Sequence, residues 1–286
     1  LASYKIFPNL NEIFGNIIQF KSQQESFKNL HYDLIKELKK KDLENKSNDK
    51  QIILKNSICL KNINFQYDDK KILNDINLKI KKNSKTILIG KTGSGKSTLA
   101  DIIAGYLMPT SGVVEFDNIN INKYTKLNWQ KSIGHVSQSV PILNDDLYIN
   151  IALSNNFDKK QVLAAAKHAE IHEFIMNLDN KYETILSESG KNLSGGQIQR
   201  IGIARALYND PNTVIFDEGT SNLDLITERK IFETLDKQKK KKTIIIITHR
   251  IETLLNFDKY FILKNGNIVN QGEKVSDLKV NYANFI

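Results

Sequence analysis

The chain has 286 residues, of which 40% are hydrophobic and 26% are charged, and its formal net charge is +9. This is enough for one large α/β domain with an appended segment. The single cysteine, Cys59, excludes an intrachain disulfide and suits a reducing cytosol. The lysine runs lie in loops or at the ends of elements without interleaved aromatic residues. They therefore favour a coding bias and a membrane-facing location over a nucleic-acid ligand.

The N-terminal segment, 1–50, differs from the rest of the chain. Apolar residues recur at spacings of three and four over 1–40, which predicts a long amphipathic helix that starts near Pro8. Residues 39–50 are polar and dense in charge, which indicates a linker. Two interpretations of the helix stay open. It is either an arm that packs on the domain, or the cytosolic end of the last transmembrane helix of a longer protein. In the second case this chain, which opens with Leu1, is a fragment whose membrane domain lies upstream.

The domain that follows the linker is predicted to begin with an antiparallel sheet. Apolar residues alternate over 58–65 and again over 76–80, on either side of a turn at Asp68 and Asp69. Tyr67 ends the first of these runs. Its ring is placed to lie against a nucleotide base, or it covers the core as an ordinary hairpin aromatic.

A phosphate-binding loop follows the apolar run 86–89 and precedes the helical run 99–106. Strand, loop and helix in this order are the context that a P-loop needs, and the glycines let backbone N–H groups point at phosphates. Lys96 is then placed to reach the β- and γ-phosphates, and the Ser97 hydroxyl is placed to bind Mg²⁺. This predicts a site for ATP or GTP. Its predicted residues are Gly90, Lys91, Thr92, Gly93, Ser94, Gly95, Lys96, Ser97 and Thr98.

A mainly helical segment is predicted between Gln138 and Leu193, with an apolar stripe over 162–178. Within it, His168 and His172 are four residues apart, a spacing that would suit a metal site. No third ligand accompanies them, so a solvated helix face is the better interpretation.

A second glycine-rich turn lies well downstream of the P-loop and opens a helix predicted over 198–208. One loop is enough to hold a nucleotide. A second anion-binding turn indicates that the nucleotide is gripped from two sides and that the grip can be made and broken. The residues of this turn are Leu193, Ser194, Gly195, Gly196 and Gln197.

Two apolar runs without polar alternation, 213–216 and 244–247, predict strands buried on both faces of a parallel sheet. Ligands bind where such strands end. Asp217 is therefore placed to hold Mg²⁺, and Glu218 is placed to polarise the attacking water as general base. An Asp-Glu pair alone is more often a solvated turn, and a lone histidine is usually structural. Their position among the other motifs favours catalysis, with His249 bonding the γ-phosphate and orienting the water.

The last predicted element is a β-hairpin over 260–269 that closes the domain. Its turn sequence, Asn265-Gly266, favours type I′, in which both central residues have positive φ.

Taken in order, these motifs resemble the ATP-binding cassette ATPases and, among them, the nucleotide-binding domains of membrane exporters. The resemblance covers about 51–286. It implies a P-loop NTPase core of mostly parallel sheet flanked by helices, with an antiparallel β subdomain and a helical subdomain inserted over 138–192. It also implies ATP and Mg²⁺ as cofactors, ATP hydrolysis, and a head-to-tail dimer that sandwiches two ATP molecules.

The same resemblance implies a role for each motif residue. Tyr67 stacks on adenine, while Ser194 and Gly196 contact the γ-phosphate bound by the other subunit. Gln138 links Mg²⁺ and the attacking water to the transmembrane partner, and Asp224 couples the two sites. The predicted catalytic residues are Glu218, His249, Gln138 and Lys96, and the predicted metal ligands are Ser97, Gln138 and Asp217.

Small departures from the family pattern leave these groups in place. Gly219 and Asn222 stand where alanine is common, and Gly219 is expected to loosen the turn that follows the catalytic carboxylates. Glu188 holds the position at which an exporter loop contacts the membrane domain, although Ser187 and Ser189 replace the usual Gly and Arg. Importers and soluble cassette ATPases generally lack this loop, so it favours export.

The sequence therefore predicts the ATPase domain of an exporter on the cytoplasmic side of the cell (inner) membrane. Its partners would be a second, identical nucleotide-binding domain and a transmembrane domain outside this chain, with no nucleic acid.

The pattern of residues 8–13 resembles that of flippases of lipid-linked oligosaccharides, and a lipid or a peptide stays open as cargo. The alternative is a soluble cassette ATPase acting on nucleic acid or ribosomes, which would need a second cassette, a coiled-coil insertion or a zinc module. A regulatory protein that binds ATP without turnover is disfavoured by Glu218 and His249.

Overall fold

The computed structural model describes residues 53–121, 126–187, 190–237, 242–248 and 257–285, which belong to one compact unit, Gln51–Ile286. The helix and linker predicted over 1–50 lie outside the described residues, and so do Glu188 and His249. None of the helices in the described ranges is long and apolar enough to cross a lipid bilayer.

Strands and helices are interspersed along the described parts of the chain. The strands are β1 (Ser57–Tyr67), β2 (Lys70–Lys81), β3 (Lys85–Gly90), β4 (Ser111–Phe116), β5 (Ile119–Asn120), β6 (Ile133–Val136), β7 (Thr213–Asp217), β8 (Thr243–Thr248), β9 (Lys259–Lys264) and β10 (Asn267–Gly272). The helices are α1 (Lys96–Ala104), α2 (Lys126–Gln130), α3 (Leu147–Ala152), α4 (Lys159–His168), α5 (His172–Met176), α6 (Gly195–Leu207), α7 (Leu225–Lys237) and α8 (Val275–Phe285), with a 3₁₀ turn at Lys181–Glu183.

The strands form two sheets within the described residues. One is antiparallel, in the order β2-β1-β4-β5, and the other has the order β10-β9-β3-β8-β7-β6. In the second sheet only β10 runs antiparallel to its neighbour. The alternating apolar residues of β1 and β2 are buried, and Leu60 lies opposite Leu78. The predicted α/β class, with a parallel core and an antiparallel subdomain, is confirmed.

The parallel sheet separates two apolar cores. Along β8, Ile244 and Ile246 belong to the core on the helical side, while Ile245 and Ile247 belong to the core shared with the antiparallel sheet. Every residue of β3, β7 and β8 is buried. A strand that is covered on both faces needs apolar residues at every position, which explains why these runs lack polar alternation.

The segment between Gln138 and Leu193 folds as three short helices, α3 to α5, and the 3₁₀ turn, with α3 and α4 packed on α6. Aspartates begin two of these helices, since Asp146 accepts a hydrogen bond from Ile149 N at 2.8 Å and Asp158 accepts one from Lys160 N at 2.8 Å. The helical prediction is therefore correct, and the caps set boundaries that the apolar stripe did not reveal. The extent of the subdomain, 138–192, stays a prediction.

The two histidines of this segment do not share a solvated helix face as predicted. His168 ends α4, His172 begins α5, and both side chains are partly buried. His172 Nδ1 lies 2.9 Å from Tyr182 Oη, so that this ring has a hydrogen-bond partner. The reason is the break between the helices, which places the two histidines on different helices.

Candidate nucleotide-binding site

The P-loop connects β3 to α1, as the motif predicted. Gly95 occupies the N-cap position of α1 with φ 101°, a left-handed conformation that a side chain would disfavour. No side chain caps the first turn of this nine-residue helix. Its N-terminal N–H groups are therefore available to an anion, which is the usual way in which such a loop holds phosphate.

Lys96 is the first residue of α1, directly after the loop, and is 5% exposed. Its ammonium donates hydrogen bonds to the carbonyl oxygens of Gly90, at 2.8 Å, and Lys91, at 2.9 Å. Burial lowers the pKa of Lys96, and the nearby carboxylates of Glu218 and Asp217 oppose that shift. The cation is thus fixed at the centre of the phosphate-binding loop.

Ser97 and Asp217 form the second part of the site. Ser97 Oγ donates a hydrogen bond to Asp217 Oδ1 across 3.1 Å, and Asp217 is a buried residue at the end of β7. Burial raises the pKa of Asp217, and the charge of Glu218 raises it further. The hydrogen bond from Ser97 and the charge of Lys96 act to lower the same pKa. A hydroxyl and a carboxylate are hard oxygen donors, so this pair fits Mg²⁺, which takes few protein ligands and completes its shell with phosphates and water.

Glu218 follows Asp217 and takes the left-handed conformation, with φ 49°. Its N–H donates to Ile247 O at 3.0 Å, and its carboxylate accepts a hydrogen bond from Gln138 Nε2 at 3.1 Å. The two residues predicted to handle the attacking water are therefore in direct contact.

Gly219 does not loosen this turn, contrary to expectation. A Cβ atom at this position would lie 2.6 Å from Val136 Cγ1 and 3.0 Å from Val136 O. The absence of a side chain lets the turn pack closely against the end of β6. The glycine at this position therefore permits close packing and does not add flexibility.

Several of these groups line one cavity of about 520 Å³. The P-loop contributes Thr92, Gly93 and residues 95–98 to the lining, whereas Ser94 does not line the cavity. Gln138 and Glu218 also line the cavity. Five further lining residues were not predicted as part of the site, and they are Lys70, Lys71, Ile72, Asn265 and Gly266.

The turn between β9 and β10 explains why two of these residues reach the cavity. Asn265 and Gly266 have φ of 49° and 75°, as a type I′ turn requires. Gly266 N donates to Ser94 O at 3.1 Å, and Gly266 O accepts from Asn74 N at 2.8 Å. The turn therefore joins the P-loop to β2. The Asn-Gly dipeptide was recognisable in the sequence, but its place beside the P-loop depends on the pairing of β9 with β3.

Tyr67 ends β1 opposite Lys70, and 49% of it is exposed. Its ring packs edge-on against Phe65, with 4.8 Å between the centroids. This exposure disfavours the alternative in which Tyr67 covers the core. Tyr67 is not among the residues that line the cavity, and its stacking on adenine stays a prediction.

The second glycine-rich turn lies apart from this cavity. Ser194 is the N-cap of α6, where its backbone N–H donates to Gln197 Oε1 at 2.8 Å and its hydroxyl accepts from Gln197 N at 3.2 Å. Ser194 and Gly195 are exposed, and none of the five predicted residues of the turn lines the cavity. The structure thus presents a capped helix N-terminus to the surface.

Asp224 lies just before α7. Its carboxylate accepts hydrogen bonds from Thr227 N at 2.9 Å and Ile226 N at 3.1 Å. The bonds from Thr227 and Ile226 hold the pKa of this carboxyl below its usual range. Asp224 is exposed, so its predicted part in coupling two sites remains compatible with its position.

Comparison with known proteins places these observations in a family. Residues 73–221 match the family described as ABC transporter. The leukotoxin translocation ATP-binding protein LktB of Mannheimia glucosida is 42% identical over 224 residues, which cover 77% of this chain and 32% of that protein. Its namesake from Mannheimia haemolytica is 41% identical with the same coverage. The chain therefore spans about a third of the length of the curated relatives it matches.

A solved structure of a bacterial Atm1-family ABC exporter with ATP bound is also similar. It matches with a TM-score of 0.77 and 32% identity, over 83% of this chain and 42% of that chain. The fold and the site define a P-loop ATPase of the α/β class. The chain belongs to the ABC transporter family, as its motifs predicted, and it is an ATP-binding, ATP-hydrolysing domain of that family.

Proposed function

We propose that two copies of this domain close head to tail around two ATP molecules and drive export of a cargo through a transmembrane partner. The observation that carries the proposal is the division of the site. One cavity holds Lys96, Ser97 and Glu218, whereas the turn at Ser194 is exposed elsewhere on the surface. A site of this kind is complete only when a second copy supplies the turn. The relatives are named for translocation and the structural neighbour for export, which supports the same proposal.

Each described residue has a chemical role in this proposal. Lys96 and the N–H groups at the start of α1 bind the β- and γ-phosphates, and Ser97 with Asp217 would hold Mg²⁺. The metal ion, when bound, neutralises charge that develops on the phosphate oxygens. Gln138 orients the carboxylate of Glu218, which accepts a proton from water as the water attacks the γ-phosphorus and ADP leaves. His249, which lies outside the described residues, is proposed to contact the γ-phosphate.

The work of the proposed cycle comes from binding. Two γ-phosphates that bridge two copies favour the closed dimer, and their loss on hydrolysis favours opening. We place the domain at the cytoplasmic face of the membrane, where ATP is available. The cargo keeps the three predicted candidates, a lipid-linked oligosaccharide, a lipid or a peptide.

Two variants that inactivate different halves of the site test the head-to-tail arrangement. Ser194→Arg disrupts the turn that a chain supplies to its partner's site. Glu218→Gln removes the base from the chain's own site. In a mixture, the heterodimer has one site with neither substitution, in which the Ser194→Arg copy supplies Glu218 and the Glu218→Gln copy supplies Ser194. We expect each variant alone to bind ATP without releasing phosphate, and the mixture to regain phosphate release.

Phosphate release should also rise faster than linearly with the concentration of the wild-type chain, because a dimer is the active species. If the Ser194→Arg chain alone is fully active, or if the mixture stays as inactive as its two components, the shared site is wrong. The matched control contains the Ser194→Arg chain alone at the total protein concentration of the mixture.

A further inference from the structure

Gln199 is a buried amide on α6 that no motif assigned to the site. It is 1% exposed and uses both ends of its side chain. Its Nε2 donates to Glu218 O at 3.3 Å, and its Oε1 accepts a hydrogen bond from Asn222 N at 2.7 Å. One side chain thus connects both ends of the turn after β7. We call this turn, residues 218–222, the base turn.

Several contacts hold the base turn in shape, and among them Thr220 Oγ1 donates a hydrogen bond to Glu228 Oε1 at 2.6 Å. Glu218 takes the left-handed conformation, which costs free energy for a residue with a side chain and persists only when surrounding contacts hold it. Its N–H is fixed on Ile247 O and its carbonyl also accepts from Ser221 N at 3.0 Å. Gln199 supplies the connection from the base turn to α6. A shift of α6 would therefore reach the base turn through this side chain.

The same helix contacts the segment that carries Gln138. Arg205 donates to Pro141 O from both terminal nitrogens at 3.0 Å, three residues beyond Gln138. The N-terminus of α6 is the exposed turn at Ser194. One rigid helix therefore joins that turn to the two segments that position Gln138 and Glu218.

We propose that Gln199 is a positioning residue that links the aim of the Glu218 carboxylate to the position of α6. This inference rests on the proposed function, in which Ser194 engages a γ-phosphate held by a second copy. Engagement at Ser194 in one copy then adjusts the base in that copy's own site through α6 and the base turn. Hydrolysis in the two sites becomes coupled within each chain as well as across the dimer.

Two substitutions of Gln199 test this. Gln199→Met keeps the length of the side chain and removes both hydrogen bonds. Gln199→Glu keeps the acceptor for Asn222 N, and its carboxyl can donate to Glu218 O only when protonated. A buried glutamate has a raised pKa, so acidification should restore the donor. Two charged residues adjoin it: Glu218, whose carbonyl oxygen accepts the hydrogen bond of Gln199, and Arg200, whose guanidinium bonds to Gly196 O and Glu170 O.

The readouts are kcat, KM for ATP, equilibrium ATP binding and thermal unfolding of the 286-residue chain. We expect Gln199→Met to lower kcat by about tenfold or more with little change in ATP binding, because an interaction that serves only the transition state affects kcat. The ratio of Gln199→Glu activity to wild-type activity should rise as the pH falls, and the corresponding ratio for Gln199→Met should stay constant.

A purely structural role makes a different prediction, and Asn150 provides the matched control. It is also a buried amide, and its Nδ2 donates to the carbonyl oxygens of Leu143, Asp145 and Asp146. Asn150→Leu should lower the unfolding temperature without the selective loss of kcat. The inference is overturned if Gln199→Met has wild-type kcat, if it matches Asn150→Leu, or if the Gln199→Glu ratio does not respond to pH. A Glu218→Gln chain that releases phosphate at the wild-type rate would instead count against the proposed function.

Discussion

The side-chain amide of Gln138 donates a hydrogen bond to the carboxylate of Glu218, with 3.1 Å between Nε2 and Oε2. The two residues meet because β6 and β7 are neighbouring parallel strands, in which Val136 pairs with Phe216. Each residue follows the C-terminal end of its strand, the edge at which α/β sheets bind ligands. The bond holds the carboxylate beside the cavity that Ser97 also lines.

Replacing Glu218 by Gln should abolish turnover and keep ATP binding. The amide has nearly the same shape but cannot accept a proton from the attacking water, so that we expect kcat to fall by about 10²-fold or more. Dimers trapped with ATP should accumulate, because closure needs the γ-phosphate and not its hydrolysis. Phosphate release and size-exclusion chromatography with ATP measure the two effects. An unchanged rate of phosphate release would rule out Glu218 as the base.

Gly266→Ala should destabilise the domain and weaken ATP binding together. The added Cβ would lie 2.3 Å from Ile72 O, and the residue has φ 75°. We expect a loss of about 1–3 kcal/mol in the free energy of unfolding, together with a displaced P-loop, since Gly266 N bonds Ser94 O. Gly93→Ala is the control for stability, because φ is 80° but nothing lies within 4 Å of the added atom. Equal unfolding midpoints in urea for the two variants would contradict the contact with Ile72.

The P-loop, the base and the buried strands could be predicted because their signals are local. Strands β7 and β8 each contain an uninterrupted apolar run, and the glycines of the P-loop lie between a strand and a helix in the sequence itself. The place of Asn265 beside the cavity was not predictable in this way. It depends on β9 pairing with β3, a contact between distant parts of the chain that no periodicity encodes. Gln199 was missed because a buried glutamine in a helix has no sequence signal that separates it from an exposed one.

The inserted helices show a similar limit. The apolar stripe over 162–178 predicted helix, yet it did not predict the break between α4 and α5. The chain there turns through Glu170, which has φ 54°. A single residue in the left-handed conformation ends one helix and redirects the next, and Glu is not a residue whose presence predicts such a turn.

Asp117 should contribute to stability in a pH-dependent way. Its carboxylate accepts hydrogen bonds from Lys55 N at 2.6 Å, Asn56 N at 2.6 Å and Ser57 N at 2.9 Å, and so holds the segment that leads into β1. Burial acts to raise its pKa, but these N–H donors together lower it below the ordinary value of 3.8. A lowered folded-state pKa stabilises the protein above the unfolded-state pKa, and this stabilisation is lost as the pH falls through the folded-state pKa.

Asp117→Asn should therefore reduce the free energy of unfolding at neutral pH, and the deficit should shrink below about pH 4. The effect is expected to be modest because the carboxylate is partly open to solvent. Urea unfolding at several pH values measures it, with Asp69→Asn at an exposed position as the control. A deficit that is independent of pH would show that the hydrogen bonds do not depend on the charge.

Gly219→Ala introduces the residue that is common in the family and should nevertheless destabilise this chain. The new Cβ would lie 2.6 Å from Val136 Cγ1, and overpacking of this kind costs about 1–3 kcal/mol. Val136→Ala alone leaves a cavity at a buried position and should also destabilise. The double variant should lose less than the sum of the two, because the removed methyl groups make room for the added one. Unfolding free energies of the four chains give the coupling directly, and additive losses would mean that the base turn and β6 do not constrain each other.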